Sequence, residues 1–493
     1  MKSYTKYLPL TIILVCTVLM AIISPLSSLS KSEKLGFYAG PDELMGYKNL
    51  NYLIYILLTV GLIIGFIYLT KQALNTLILL LTIALTISIV LITYPPIYDT
   101  LYYYTASVLW ISHGINPYSE FFHYLSTHPF PYLEFPLYHN YPYGSLWFMI
   151  HTLCAYAANN SYLIFNTLLT LTTTVFLATT SLAIHWLKPN IHIRKIIIYI
   201  FLNPVSLVFL LRTGNPESLM ILLILLSLLC IKAKRYLIAS TCLVLLLFTK
   251  HTTAPLVLIT YLWIVREIAN REPSRIKQIF RLFVPALIIS AITYWKFNVV
   301  LEYFSGGMQI LHATKLSGIS IQTIIVFLTG SVIPVDYEPM VNVLYLISNS
   351  IFILCIVFLG LKIISKKSQR EEDLYTSIWI ISYLSTYILG ISTKPWYLFI
   401  PLVISLLLSE FKQYISTLII MITLVGDFFL FFITVSPHLQ VVPIILDVLL
   451  KEIIPLLMVI IAIRHESFDK FNRMALKLIS NIVPAIQSHP KQN

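Results

Sequence analysis

The sequence predicts an all-α polytopic membrane protein with about fourteen transmembrane helices. Three observations predict it. The 493 residues are 58% hydrophobic and only 11% charged, with a mean hydropathy of +0.84. Apolar runs of about 20 residues, the length that crosses ~30 Å of hydrocarbon, recur from end to end. The Lys and Arg residues fall in short clusters between those runs, as topology signals do, so the formal charge of +12 marks orientation and argues against a nucleic-acid partner.

Taken in order, Lys2 and Lys6 precede an apolar run from Leu8 to Leu26 that is too long for a signal-peptide core and reads as a signal anchor with its N terminus inside. Further spans are expected near 50–70, 73–93, 161–187, 195–211, 217–232, 236–249, 253–265, 280–297, 340–363, 374–391, 396–409, 413–433 and 440–463. Alternating from an inside N terminus gathers Lys71, Lys188, Arg194, Lys195, Lys232, Lys234, Arg235, the segments 266–281 and 362–370, Lys412 and the basic tail on the cytoplasmic side. The alternation holds if 143–158 is a short, non-spanning or re-entrant helix. The other side then receives 27–49, the long loop 94–160, RTGNPE (Arg212 to Glu217), TKHT (Thr249 to Thr252), 297–340, TKPWY (Thr393 to Tyr397) and Ser436 to His438. Most of the unusual polar residues therefore share one face.

The five cysteines sit singly in apolar stretches, with neither CxxC nor histidine spacing, which points to no metal site and no disulfide framework. No P-loop and no glycine-rich dinucleotide motif is present, so an activated substrate would arrive through the bilayer.

The most informative stretch is YPPIYDTLYYYTASVLWISHGINPY, Tyr94 to Tyr118, with YPYG at Tyr141 to Gly144. Pro95 and Pro96 stop the preceding span. Asp99 then opens a new helix, with Tyr103, Ala106 and Trp110 on its face, Gly114 ends it, and Asn116-Pro117 turns the chain. The expectation is a short amphipathic helix lying on the membrane surface.

These stretches resemble the GT-C superfamily of integral-membrane glycosyltransferases. YDTLYYYTASVLWISHGINPY and YPYGSLW are similar to its first-loop pattern, RTGNPES with FTKHTTAP to its next block, and TKPWYLFIPLV to the His-Pro-Trp-Tyr-leucine segment of polyprenyl-phosphate-mannose users. The resemblance implies inverting transfer of a hexose, mannose foremost, from a polyprenyl- or dolichyl-phosphate carrier to a lipid-linked glycan or protein, without a metal or other cofactor. It implies an active site on the extracytoplasmic or luminal face of a cell or endoplasmic reticulum membrane. It also divides the chain into N-terminal helices (1–72), a catalytic module (73–298, with loop 94–160), a variable transmembrane module (299–464) and a cytoplasmic tail (465–493). Thr100 follows Asp99 where many members carry a second acid, Glu217 stands at a Gly-Gln-x-Asp position, and Lys394 replaces the histidine before Pro-Trp-Tyr.

The chemistry agrees. A lipid phosphate leaves as a stable anion, so one base for the acceptor hydroxyl plus cations for the phosphate suffice. Asp99 is the candidate base, although an aspartate there also fits a plain helix cap, and Asp42-Glu43 after Pro41 is the competing centre. Candidate phosphate contacts are Lys394, Arg212, Lys250 and His251, which run against the inside-positive bias but also fit snorkelling at the interface. Candidate sugar or acceptor contacts are Tyr103, Asn116, Tyr118, Glu217, Trp396 and Tyr397. Tyrosines at a membrane surface equally serve as interface anchors, and Glu217 equally complements a helix dipole. A multispan transporter or lipid-linked sugar flippase is the alternative, and a non-catalytic assembly subunit a third reading.

Overall fold

The computed structural model describes residues 7–29, 44–70, 75–92, 98–121, 123–124, 141, 143–159, 161–211, 214–271, 275–297, 337–365, 370–386, 395–435 and 449–465, and these contain helices but no strand. The first helices are α1 (Leu8–Leu29), α2 (Leu44–Thr70), α3 (Thr76–Ile92), α4 (Tyr98–His113), α5 (Ser145–Ala157), α6 (Tyr162–Leu187) and α7 (Ile193–Phe201). There follow α8 (Glu217–Lys232), α9 (Tyr236–Leu247), α10 (Ala254–Arg271), α11 (Arg275–Arg281), α12 (Val284–Phe297), α13 (Tyr337–Ser365), α14 (Glu371–Leu384), α15 (Phe399–Ser405) and α16 (Glu410–Val435).

By length and composition, three helices among the described residues can cross a membrane: Tyr162–Leu187, His251–Asn270 and Ile276–Phe297. Others, such as Thr76–Ile89 and Tyr236–Leu247, are apolar but shorter, so the described residues do not confirm the expected count of about fourteen spans. One reason is chain breaks inside predicted spans. The run 195–211 becomes α7 and then, past Asn203-Pro204, a π-helical turn at Ser206–Leu210. Proline has no N–H to give, and the carbonyls it orphans are taken by side chains. Asn203 Nδ2 donates to the carbonyls of Tyr199 (2.6 Å) and Ile200 (3.3 Å), and Ser206 Oγ also donates to Ile200. The run 396–409 likewise divides into a 3₁₀ turn at Pro395–Leu398 and the short α15.

The bundle has two chemically different ends. α8 packs beside α6, α9 and α15. At one end Lys188 Nζ donates to the Leu408 carbonyl (2.8 Å), Lys232 Nζ to the Leu187 carbonyl (3.0 Å), and Lys195 lies 3.7 Å from Glu410. Lys232 thus caps the C terminus of α6, where orphan carbonyls and the dipole favour a cation, while Lys188 holds the turn between α15 and α16 and Lys195 faces the first residue of α16. The opposite end is formed by the start of α8, the α9–α10 corner, the segment before α5 and the turn before α15.

Candidate active site

α4 carries the first candidate residue. It begins at Tyr98, so Asp99 stands in its first turn, and Gly114 ends it in the left-handed conformation (φ +69°) with its N–H on the Trp110 carbonyl (3.1 Å). Protein covers the middle of α4 all round. Every residue from Tyr102 to Ser107 is buried, against α5 and α6. Two of its polar residues are hydrogen-bonded inside. Thr100 Oγ1 meets the Tyr162 hydroxyl (2.6 Å), and Ser107 Oγ donates to the Tyr103 carbonyl (2.8 Å).

His151 on α5 completes this packing. It is fully buried, stacked on Tyr103 with ring centroids 5.2 Å apart. Because the Ser107 hydroxyl proton is already given to a carbonyl, Ser107 Oγ accepts from His151 Nδ1 (2.6 Å), and Nε2 in turn accepts from the Tyr141 hydroxyl. The ring is thus assigned as the neutral Nδ1–H tautomer, and it ties the face of α4 that bears Asp99 to YPYG.

YPYG is then fastened to the α9–α10 corner. Gly144 N–H donates to the Thr249 carbonyl (2.9 Å) and Leu146 N–H to that of Phe248 (3.0 Å). A Cβ on Gly144 would lie 1.8 Å from the Phe248 oxygen, so only glycine allows this approach.

The corner holds the most polar cluster at this end. Glu217, the first residue of α8, has no exposed surface, and its Oε1 is 2.8 Å from Lys250 Nζ. The ammonium also faces the ring of Tyr397, 4.2 Å from its centroid, and that of Tyr143 at 5.5 Å. Burial alone would depress the Lys250 pKa. The Glu217 carboxylate and then Tyr397 outweigh it, so the pKa stands above the ordinary lysine value and the group stays charged. Glu217 Oε2 and both amide atoms of Asn215 are buried with no hydrogen-bond partner.

The sequence candidates therefore fare differently. Glu217, Lys250 and Tyr397 come together, with His251 next in the chain. Lys250 was expected as a cation open to phosphate, but its charge is matched by Glu217 because the two are buried together. Tyr103 and Tyr118 are buried in the aromatic packing, Tyr118 edge-on to Tyr141 at 5.8 Å. Asn116 holds its own turn, accepting from the Tyr118 N–H (3.0 Å) and donating to the Phe297 carbonyl (2.6 Å). For Asp99 and Trp396 the backbone alone is described, and Arg212, Lys394, Asp42 and Glu43 lie outside the described residues. Sequence reasoning missed Asn215 and His151. The clue to the Glu217–Lys250 pair was opposite charges at two span ends of the same predicted side.

Among the described residues, no group of three or more His, Cys, Asp or Glu is arranged to hold a metal ion. Comparison with curated proteins and with solved structures gave no match. The profile of Glycosyltransferase family 87 matches residues 138–386, half of the chain, and that range contains Tyr141, Gly144, His151, Asn215, Glu217 and Lys250. A bundle of apolar helices with this polar end, matched over that length, belongs to Glycosyltransferase family 87.

Proposed function

We propose that the protein is a GT-C-type inverting transferase that moves a hexose, mannose foremost, from polyprenyl or dolichyl phosphate to a lipid-linked glycan or protein. The reaction takes place on the extracytoplasmic or luminal face of a cell or endoplasmic reticulum membrane. One observation supports it most: YPYG, GNPE, TKHT and PWY, four segments that span alternation assigns to a single side, converge on one buried polar cluster in a chain of a glycosyltransferase family.

In this reading the acceptor hydroxyl attacks the anomeric carbon as the bond from that carbon to the phosphate oxygen breaks. The proton passes to the Asp99 carboxylate and the lipid phosphate leaves as an anion. With Lys250 neutralised by Glu217, the phosphate falls to Lys394 and Arg212, with His251 beside them. Trp396 and Tyr397 contact sugar, and no metal takes part.

The test is transfer from labelled polyprenyl-phosphate-mannose by purified protein. Asp99→Asn keeps size and capping ability and should lower transfer by about 10²–10⁴ with donor binding retained. Near-normal transfer in that variant, together with loss in Asp42→Asn or Glu43→Gln, moves the centre to the first loop. Lipid flipping in sealed vesicles without transfer would favour the transporter reading.

A further inference from the structure

Asn215 stands one residue outside α8, whose N-cap position is taken by Pro216, a residue with no side-chain oxygen to cap with. Here the start of α8 carries no side-chain cap, and neither amide atom of Asn215 has a hydrogen-bond partner although the residue is only 1% exposed. The fold holds it there firmly. Gly214 turns the chain at φ +57°, and the Asn215 carbonyl accepts from Ser218 Oγ at 3.1 Å. Two residues on, Glu217 gives one oxygen to Lys250 and leaves Oε2 with no partner. An unpaired buried polar atom destabilises a protein, and three of them within three residues form an array that a ligand would complete.

We propose that Asn215 and Glu217 Oε2 form a hexose subsite that binds ring hydroxyls, next to Lys250 and the rings of Tyr143 and Tyr397 that its ammonium faces. The complement is specific. An amide offers one donor and one acceptor face and a carboxylate oxygen accepts, which matches hydroxyls that both give and take hydrogen bonds. Lys250 offsets the Glu217 charge, so the subsite fits a neutral sugar better than a cation. The same chemistry serves the donor hexose or a hexose of the acceptor. The inference rests on the proposed lipid-phosphate donor for its choice of probe.

The experiment uses the full chain in lipid nanodiscs, with Asn215→Leu as a near-isosteric apolar variant and Asn215→Ala as a second. Thermal midpoints are measured without ligand. Binding is measured for polyprenyl-phosphate-mannose and for bare polyprenyl phosphate, and the acceptor KM is followed in transfer. A binding residue unsatisfied in the empty protein leaves the midpoint unchanged or raises it when made apolar, while kcat/KM falls about ten- to a hundredfold. Loss of the preference for the sugar-bearing lipid assigns the donor hexose. A retained preference with a raised acceptor KM assigns the acceptor hexose. A lowered midpoint with sugar preference and acceptor KM both intact overturns the subsite and makes Asn215 structural, as a partner of buried water would be. Wild-type protein that binds neither lipid overturns the donor reading and the subsite with it.

Discussion

Glu217→Gln gives the sharpest test of the cluster because it removes a charge and almost no volume. The side chains of Glu217 and Lys250 are 0% and 8% exposed, with 2.8 Å between charged atoms, so solvent screens the pair little. Taking away one partner of a buried pair costs about 3–5 kcal/mol, chiefly because the other charge is left uncompensated. The Tyr397 ring 4.2 Å from Nζ retains about 0.5–2 kcal/mol of stabilisation for the cation, which puts Glu217→Gln near the lower end, about 3 kcal/mol. Lys250→Met leaves a fully buried carboxylate with neither oxygen paired and belongs at the upper end. Replacing both, as Glu217→Leu with Lys250→Met, should return stability to within about 1 kcal/mol of wild type, since a packed apolar pair stands in for the ions. Reversible unfolding of purified protein in detergent measures all three. Single variants below about 1 kcal/mol, or a double variant equal to their sum, would refute the desolvated pair. The pH dependence has a definite sign. A lysine whose folded pKa is raised contributes in full below its ordinary value of about 10.4 and loses that contribution as pH climbs through the folded pKa. The gap between wild type and Lys250→Met should therefore stay level through neutral pH and close only under strongly alkaline conditions.

Three further substitutions test the scaffold. Gly144→Ala forces a Cβ to 1.8 Å from the Phe248 carbonyl oxygen and should detach YPYG from the α9–α10 corner, read as new protease cleavage near 141–146 and loss of transfer. Gly114→Ala, where only the positive φ resists and nothing lies within 4 Å, should cost about 1–2 kcal/mol and leave transfer measurable. His151→Phe keeps the stacking on Tyr103 but deletes both ring hydrogen bonds; the expected loss is about 2–3 kcal/mol in the same unfolding assay, and an unchanged stability would show that Ser107 and Tyr141 do not depend on it.

Some of this was legible in the sequence because local rules decide it. The start of α4 follows from Pro95, Pro96 and Asp99, its end from Gly114, and the opening of α8 at Glu217 from the glycine and proline before it. What escaped depends on contacts between distant residues. Thr100 and Ser107 count as polar in any periodicity, yet each is consumed by a partner far along the chain, Tyr162 and His151, and the helix is buried on the faces they mark. Lys250 and Glu217 are 33 positions apart, and nothing local says which charge meets which.

The same limitation applies to the lysines used to infer topology. Lys412 was counted as a cytoplasmic marker, but it is 1% exposed, with Nζ donating to Thr376 Oγ1 at 2.9 Å and 5.7 Å from the Trp379 ring. Lys232 caps the last carbonyl of α6, and Lys188 holds the Leu408 carbonyl in the turn after α15. Each therefore has a structural reason for its place that orientation bias alone does not supply. What the structure shows is which ends meet. The C termini of α6 and α8 join the α15–α16 corner at the basic end. At the other, Gly214 before α8 packs on Leu169 in the second turn of α6, beside Glu217, Lys250 and Tyr397. The two ends differ in kind. At one, lysines are bonded to backbone carbonyls, whereas the other buries a carboxylate oxygen and a whole side-chain amide two positions apart without partners. Three unpartnered polar atoms so close together in the chain are where a sugar substrate has hydrogen bonds to contribute.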